Sequence, residues 1–384
     1  MKDLSIYFSD FGDKSQSSPG SLGEFINVNN DKHFELPGKF EIVILFVPEY
    51  RNSDLRSDKA YIQAIREKLY VLKKGDWKIP ITDLGVIQPG ESVQDTYTAV
   101  KDVVTELVKN NVFPIVVGGG QDLTVPIFEA YQSLEQTVNI LDVDPQIDMG
   151  DPETGISANS WINKILMMKP NYLFNYSILG FQSYLVNQNE LDLIEKLFFD
   201  AYRLGDFYSN ERMVEPLVRN ADILSFDMNA VRGSDYRGNS MEMPHGFYGE
   251  DACRIMRYAG LSDKLTSMGI FNFQESDQLG FDANLAAQMI WYFIEGFNNR
   301  KRDYPVGSKS SYTKYSVSID NFKSEIVFYK SDKSGRWWME VPYPKIKGAK
   351  FQRHLLVPCD YEDYKNALTN EMPNLWWRTF EKLS

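Results

Sequence analysis

Histidine is almost missing from this chain, with three in 384 residues: His33, His245 and His354. So few imidazoles exclude a histidine-rich metal cage and leave little for proton relays built on that side chain. Cysteine is scarcer still. Cys253 and Cys359 are the only two, and neither has a Cys or His near it at zinc spacing, so they are read as packed or surface thiols. No run approaches the roughly 18 apolar residues of a membrane-spanning helix, which excludes such spans. Basic residues are outnumbered, with 41 Lys and Arg against 53 Asp and Glu, a net charge of -12. Backbone phosphates are held by concentrated Lys and Arg, so nucleic acid is excluded as a partner. The segment Met1-Lys2-Asp3-Leu4-Ser5-Ile6-Tyr7-Phe8 runs into Ser, Asp and Gly without the apolar core of a signal peptide, and a cytoplasmic address is expected.

What is present is an ordinary soluble composition, 43% hydrophobic and 24% charged, in a chain long enough to bury a large core. From about Phe40 to Asn298, short β-branched or apolar runs alternate with longer amphipathic stretches. The expected strands are Glu41 to Val47, Pro114 to Val117, Val138 to Val143, Tyr176 to Gly180, Asp222 to Phe226 and Thr266 to Phe273. Between them lie expected helices at Asp58 to Lys74, Glu91 to Asn110, Leu123 to Glu135, Glu190 to Asp200, Gly249 to Ala259 and Asp282 to Phe297, the last capped by Asp282. Regular alternation predicts a three-layer α/β/α domain with a mostly parallel central sheet. Beyond the polar break at Asn299 to Pro305 the texture turns to strands, with a hairpin around Lys330 to Gly335 and a helix over Tyr361 to Leu383. The expected division is an N-terminal extension (1–39), an α/β domain (40–298) and a β-rich C-terminal extension (299–384). Two tryptophan pairs, Trp337-Trp338 and Trp376-Trp377, either pin that extension to the body or offer a partner surface.

Three strand-ending segments carry the chemistry: Gly118-Gly119-Gly120-Gln121-Asp122, Asp144-Pro145-Gln146-Ile147-Asp148 and Ser225-Phe226-Asp227-Met228-Asn229. Each follows an apolar run, and in an open parallel sheet the carboxyl ends of neighbouring strands converge on one crevice. Isolated aspartates at strand ends are often loop formers or caps. Three such segments in one chain point instead to a shared polar site. The glycine run lacks the Lys-Ser/Thr of a phosphate loop, so close backbone approach explains it better than phosphate binding.

In order and spacing, these segments resemble the three metal motifs of the ureohydrolase family, which includes arginase, agmatinase and formiminoglutamase: Gly-Gly-Asp-His-Ser, Asp-Ala-His-x-Asp and Ser-Phe-Asp-x-Asp. Ala283-Asn284-Leu285-Ala286-Ala287 is similar to the start of that family's last helix. The resemblance implies an arginase-like fold over roughly Phe40 to Asn298. It also implies a pair of manganese ions whose bridging water attacks a guanidinium or formimino carbon. Of the six ligand positions only Asp144, Asp148 and Asp227 keep the family's residue. Gln121 and Gln146 stand where imidazoles are expected, and Asn229 replaces a carboxylate.

Two functional readings follow. In the first, the manganese pair is lost, no metal is bound, and the protein is a pseudoenzyme that binds a small ligand or a partner. Arg232 or Arg237 would then neutralise the three aspartates. The alternative is a hydrolase of a guanidino or formimino C–N bond. Its altered site for Mn, Mg or Ca would be built from Asp122, Asp144, Asp148, Asp227 and the amide oxygens of Gln121, Gln146 and Asn229. Asp148 and the loop residue His245 are the candidate catalytic groups. Asn272, with nearby Glu275, stands where the family's guanidinium-gripping glutamate is expected, and Arg232 replaces an expected carboxylate. These three are the candidate substrate contacts. The expected ligand is a small molecule of guanidino, formimino or amino-acid character, and the expected assembly is a homo-oligomer.

Overall fold

The computed structural model describes residues 4–9, 17–29, 41–55, 59–150, 155–276, 280–305, 309–320, 325–342 and 351–383. Its main sheet is formed by β1 (Phe8–Ser9), β2 (Asn27–Val28), β3 (Ile42–Phe46), β4 (Ile81–Ile87), β5 (Phe113–Val117), β6 (Val138–Val143), β7 (Leu173–Phe181), β8 (Asp200–Arg203), β9 (Ile223–Asp227) and β10 (Ser267–Phe271). The spatial order is β1-β4-β3-β5-β10-β9-β6-β7-β8, with β2 also paired to β4. Every pairing is parallel except that of β1 with β4.

The central strands are apolar on both sides because both faces are covered. Ile44, Ile115, Leu224 and Ile270 meet one apolar layer, completed by the helices Ala60–Val71, Gly249–Leu261 and Phe281–Asn298. Val43, Val116, Ile140 and Ile178 meet the other, under Val93–Lys109, Thr124–Ser133 and Trp161–Met167. The expected three-layer fold is what the chain adopts.

Four main-sheet strands, β1, β2, β4 and β8, lie outside the sequence expectations, β1 and β2 being only two residues each. β4 carries Asp83 in its middle, which is buried and held by Arg66 at 2.7 Å. A charge inside an apolar run hides the strand. β8 was read as the end of a helix, but that helix stops at Lys196, and Phe198 turns the chain at φ 56° before Asp200 opens the edge strand. The expected cap at Asp282 is also corrected. Its carboxylate accepts from the backbone of Arg237 and Ser276, while Glu275 accepts from Ala283 at 3.0 Å in the first turn of the last helix. The expected start of one helix at Asp58 lies outside the described residues.

A second, antiparallel sheet runs β11 (Tyr312–Val317), β12 (Ile326–Ser331), β13 (Trp337–Glu340) and β14 (Leu356–Cys359), followed by two helices, Tyr361–Leu368 and Asn374–Leu383, where one was expected. This sheet docks on the amino ends of β6 to β9. Arg219 donates to the carbonyls of Trp337 (3.0 Å) and Cys359 (3.1 Å), and Arg353 pairs with buried Asp222. Trp337 and Trp376 are buried in the extension's own apolar cluster, Trp338 is buried with the Arg219 guanidinium of the body over its ring at 4.5 Å, and Trp377 is exposed. His354 stacks on Phe174 at 3.9 Å and shares a 3.0 Å hydrogen bond with Thr137. Burial, with Lys264, Arg353 and Lys382 nearby, holds its pKa well below the ordinary imidazole range, so it is neutral. Thr137→Val leaves that ring without its hydroxyl partner. It should cost about 1–3 kcal/mol in denaturant unfolding.

Candidate functional site

The extension seals one end of the sheet and leaves the carboxyl ends of β5, β10, β9 and β6 to meet side by side. After β5 the backbone turns through Gly118 (φ 94°) and Gly119 (φ 74°), conformations that glycine adopts without steric cost. A Cβ on Gly119 would lie 2.7 Å from the carbonyls of Val47 and Glu49. The glycines therefore serve close backbone approach, as expected, and set Gln121 at the start of a 3-10 turn facing the crevice. Asp144 and Asp148 follow β6, Asp227 ends β9, and Asn272 follows β10 with a left-handed φ of 54°. A non-glycine residue in that region stores strain, which clusters at functional sites.

Hydrogen bonds fix the orientation of each group. Gln121 donates through Nε2 to Asp142 (2.7 Å) and Ser225 (3.1 Å). In this orientation the amide nitrogen faces Asp142 and the oxygen Oε1 points away from it. Asp144 accepts from the backbone of Gln146 at 2.8 Å on one oxygen. Asp148 accepts from Trp161 (3.0 Å) and Gln146 (3.2 Å), and Asp227 from the backbone of Asn229 (2.7 Å) and the amide of Asn272 (3.0 Å). Three acceptors are left over: Gln121 Oε1, Asp144 Oδ2 and Asn272 Oδ1 are buried and have no donor.

The electrostatics agree. Burial first, then mutual repulsion, raises Asp142, Asp144 and Asp148 well above the usual carboxylate range. Asp227 is pushed up to about 6 by burial. No cation acts among the leading causes of these shifts. Arg232 does not neutralise the cluster: it pairs with Asp235 at 2.9 Å and lies over the Tyr248 ring at 3.7 Å. Arg237 lies over Phe281 at 4.3 Å.

The remaining candidates spread out. Asp122 is buried against Tyr97, burial raises its pKa to about 6, and it belongs to a neighbouring network with Asn52 and Glu49. The side-chain oxygen Oδ1 of Asn229 accepts from Ser240, at 2.9 Å from its backbone amide and 3.0 Å from its hydroxyl. Glu275 serves the helix start described above. His245 is exposed on the wall of a nearby cavity. The sequence reading passed over Asp142, Ser225, Tyr176 and Trp161. Strand alternation gave the signal for the first two, since Asp142 precedes Asp144, and Ser225 precedes Asp227, by two residues on the same face. Tyr176 hydrogen-bonds Asp142 at 2.7 Å, a contact between strands that no spacing along the chain reveals.

Among the described residues no three His, Cys, Asp or Glu side chains form a preformed metal cage. A histidine-bearing dinuclear cage does not fit this donor set. A single hard divalent cation does, because the amide oxygens of Gln121 and Asn272 complete what the carboxylates begin, and all the unsatisfied groups are oxygens.

The arginase family model matches residues 42–295. A formimidoylglutamase of Streptococcus gordonii is 23% identical over 302 residues, 72% of this chain and 90% of that protein. The crystal structure of Bacillus subtilis formimidoylglutamase superposes with a TM-score of 0.66 at 14% identity, covering 78% of this chain and 98% of that one. Trypanosoma cruzi formiminoglutamase, whose crystal structure was determined with Mn2+, gives a TM-score of 0.61 at 18% identity over 68% of this chain and 94% of that one. Likeness at these identities speaks for the fold. Among the described residues no helix is long and apolar enough to cross a membrane.

Proposed function

Because the chain belongs to the arginase family, we propose that it is a divalent-cation-dependent hydrolase of a C–N bond in a small linear amidine, of the formiminoglutamase type. The observation that carries this reading is the trio of buried, donorless oxygens on Gln121, Asp144 and Asn272, set among carboxylates that burial and repulsion push toward their protonated forms. Acceptors left without donors in a protein interior are costly, and a cation satisfies all of them together. The expectation of a catalytically silent binder gains no support from the family match or the relatives, which favour the hydrolase.

Asp144, Asp148, Asp227, Gln121 and Asn272 would hold the cation. Bound there, it supplies Lewis acidity toward substrate and water. Asp142 and Ser225 keep the Gln121 oxygen aimed inward. Trp161 and Gln146 fix Asp148, and the backbone of Asn229 fixes Asp227. A catalytic body over 40–298 with extensions 1–39 and 299–384, a homo-oligomer and a cytoplasmic setting belong to the same proposal.

The test is to strip the protein with chelator, reload it with Mg, Mn or Ca, and follow formamide and ammonia release from formiminoglutamate beside urea release from arginine and agmatine. Turnover restored by one cation and lost in Asp148→Asn is expected. Cation binding with no turnover on any of these substrates would instead favour the silent binder.

A further inference from the structure

A cavity of about 520 Å³ opens at the carboxyl ends of β7 and β8, with Gln182 on its wall and none of the groups that would hold the cation among its lining residues. Hydrogen bonds hold Gln182 itself in place. Its backbone amide donates to the Pro145 carbonyl (2.8 Å), its side-chain nitrogen donates to the His245 carbonyl (3.2 Å), and its side-chain oxygen Oε1 accepts from the Tyr184 hydroxyl. The volume lies within the range of small-molecule pockets.

The lining runs against the character of the chain. The protein carries a net charge of -12, yet the described residues lining this cavity include Arg203, Arg232 and His245 and no carboxylate. Asp235 meets Arg232 through Nε alone, so the two terminal amino groups of that guanidinium make no hydrogen bond to any described residue. Tyr248 lies under the guanidinium plane, and Tyr208 packs edge-on against Tyr248 at 5.9 Å. Tyr208 is itself tied to Gly246 and Asp251, each at 3.1 Å. The aromatic wall is therefore preformed, and it is open to solvent, with Tyr184, Tyr208 and Tyr248 exposed by 64%, 40% and 46%. Large aromatics exposed together around a half-buried cation mark a binding surface.

We propose that this cavity is a binding site for a small organic carboxylate with a flat, apolar body. The terminal fork of Arg232 receives the carboxylate, a planar group that guanidinium matches with two parallel hydrogen bonds. The tyrosines receive the body, and Arg203, paired with Asp206 at 3.3 Å, stands at the rim. The site stands apart from the cation centre and does not depend on the hydrolase reading.

The experiment is calorimetric titration of the full chain with benzoate, with neutral benzamide and inorganic phosphate as comparison probes. Benzoate should saturate in the millimolar range or below and bind at least about tenfold more tightly than benzamide, since a charge-assisted pair is at stake. Arg232→Gln should weaken benzoate about tenfold or more, and Asp144→Asn should leave it unchanged. Tyr184→Ala, at an exposed wall position, provides a second variant with a native melting temperature should Arg232→Gln perturb folding, and it too should weaken benzoate. No saturable benzoate binding, equal affinity for benzamide, phosphate bound more tightly than benzoate, or benzoate affinity untouched by both cavity variants would overturn the proposal.

Discussion

Asp144→Asn is expected to do two opposite things: stabilise the cation-free protein and cut its affinity for Mg or Mn by about 100-fold or more, beyond the 10- to 100-fold typical of losing a group that only supports a ligand. Asp144 is fully buried, one of its oxygens has no partner, and its pKa is raised by burial and by Asp148 and Asp227. An asparagine keeps the hydrogen bond from the Gln146 backbone, removes one buried negative charge and offers an amide nitrogen to the neighbouring carboxylates. At a pH high enough to ionise Asp144, relief of repulsion should be worth on the order of 1–3 kcal/mol in chelator, the scale of a buried group that gains its partner. The same change removes the carboxylate that begins the second motif and leaves the cation fewer charges. Melting in chelator and in saturating Mg measures both effects at once, because a ligand present at 100 times its Kd stabilises the folded state by about 2.7 kcal/mol. A variant that is destabilised in chelator yet keeps wild-type cation affinity would remove Asp144 from the site.

Why the fold was legible from sequence, and the site only partly so, comes down to what each depends on. Strands such as β3 are buried on both faces, and Ile42 to Phe46 announces itself as a continuous apolar run. β4 and β8 depend on tertiary contacts instead: Asp83 needs Arg66 and Tyr70, and Asp200 needs Asn175 and Ser177. The aspartates of the site could be read because they follow strands in a set order. The orientation of Gln121 could not, since it is set by Asp142 from a strand three places away in the sheet. The position of Arg232 in the sequence suggested charge compensation, whereas its side chain turns toward Asp235 and Tyr248. Spacing along the chain locates a residue on a strand end, and only packing decides which way a long side chain leaves it.

Depleted of divalent cations, the protein should lose stability as pH rises from about 4 through 6 and beyond, and a saturating cation should remove much of that loss. The sign follows from the carboxylates. Asp227 and Asp122 have folded-state pKa values of about 6, against an ordinary 3.8. Below the ordinary value both states are protonated and the full stability is present. Between the two values the folded state holds protons that the unfolded chain releases, so stability falls with pH until the folded-state group itself ionises. A shift of about two units corresponds to about 3 kcal/mol for one such buried group. Asp142, Asp144 and Asp148, raised further by burial and by one another, extend the loss to higher pH. Other groups contribute as well. Glu49, its pKa lowered in the presence of Arg51, adds stability with rising pH, while Asp363, raised by burial to about 6 in the C-terminal part, opposes it. Neither belongs to the cation site, so the diagnostic quantity is the difference between two pH profiles of unfolding free energy, one in chelator and one in Mg or Mn. Cation binding replaces the protons on Asp144, Asp148 and Asp227, so the loaded profile should be flatter and its advantage should grow with pH. Two parallel profiles would show that no cation meets these carboxylates, and the hydrolase reading would lose its physical basis.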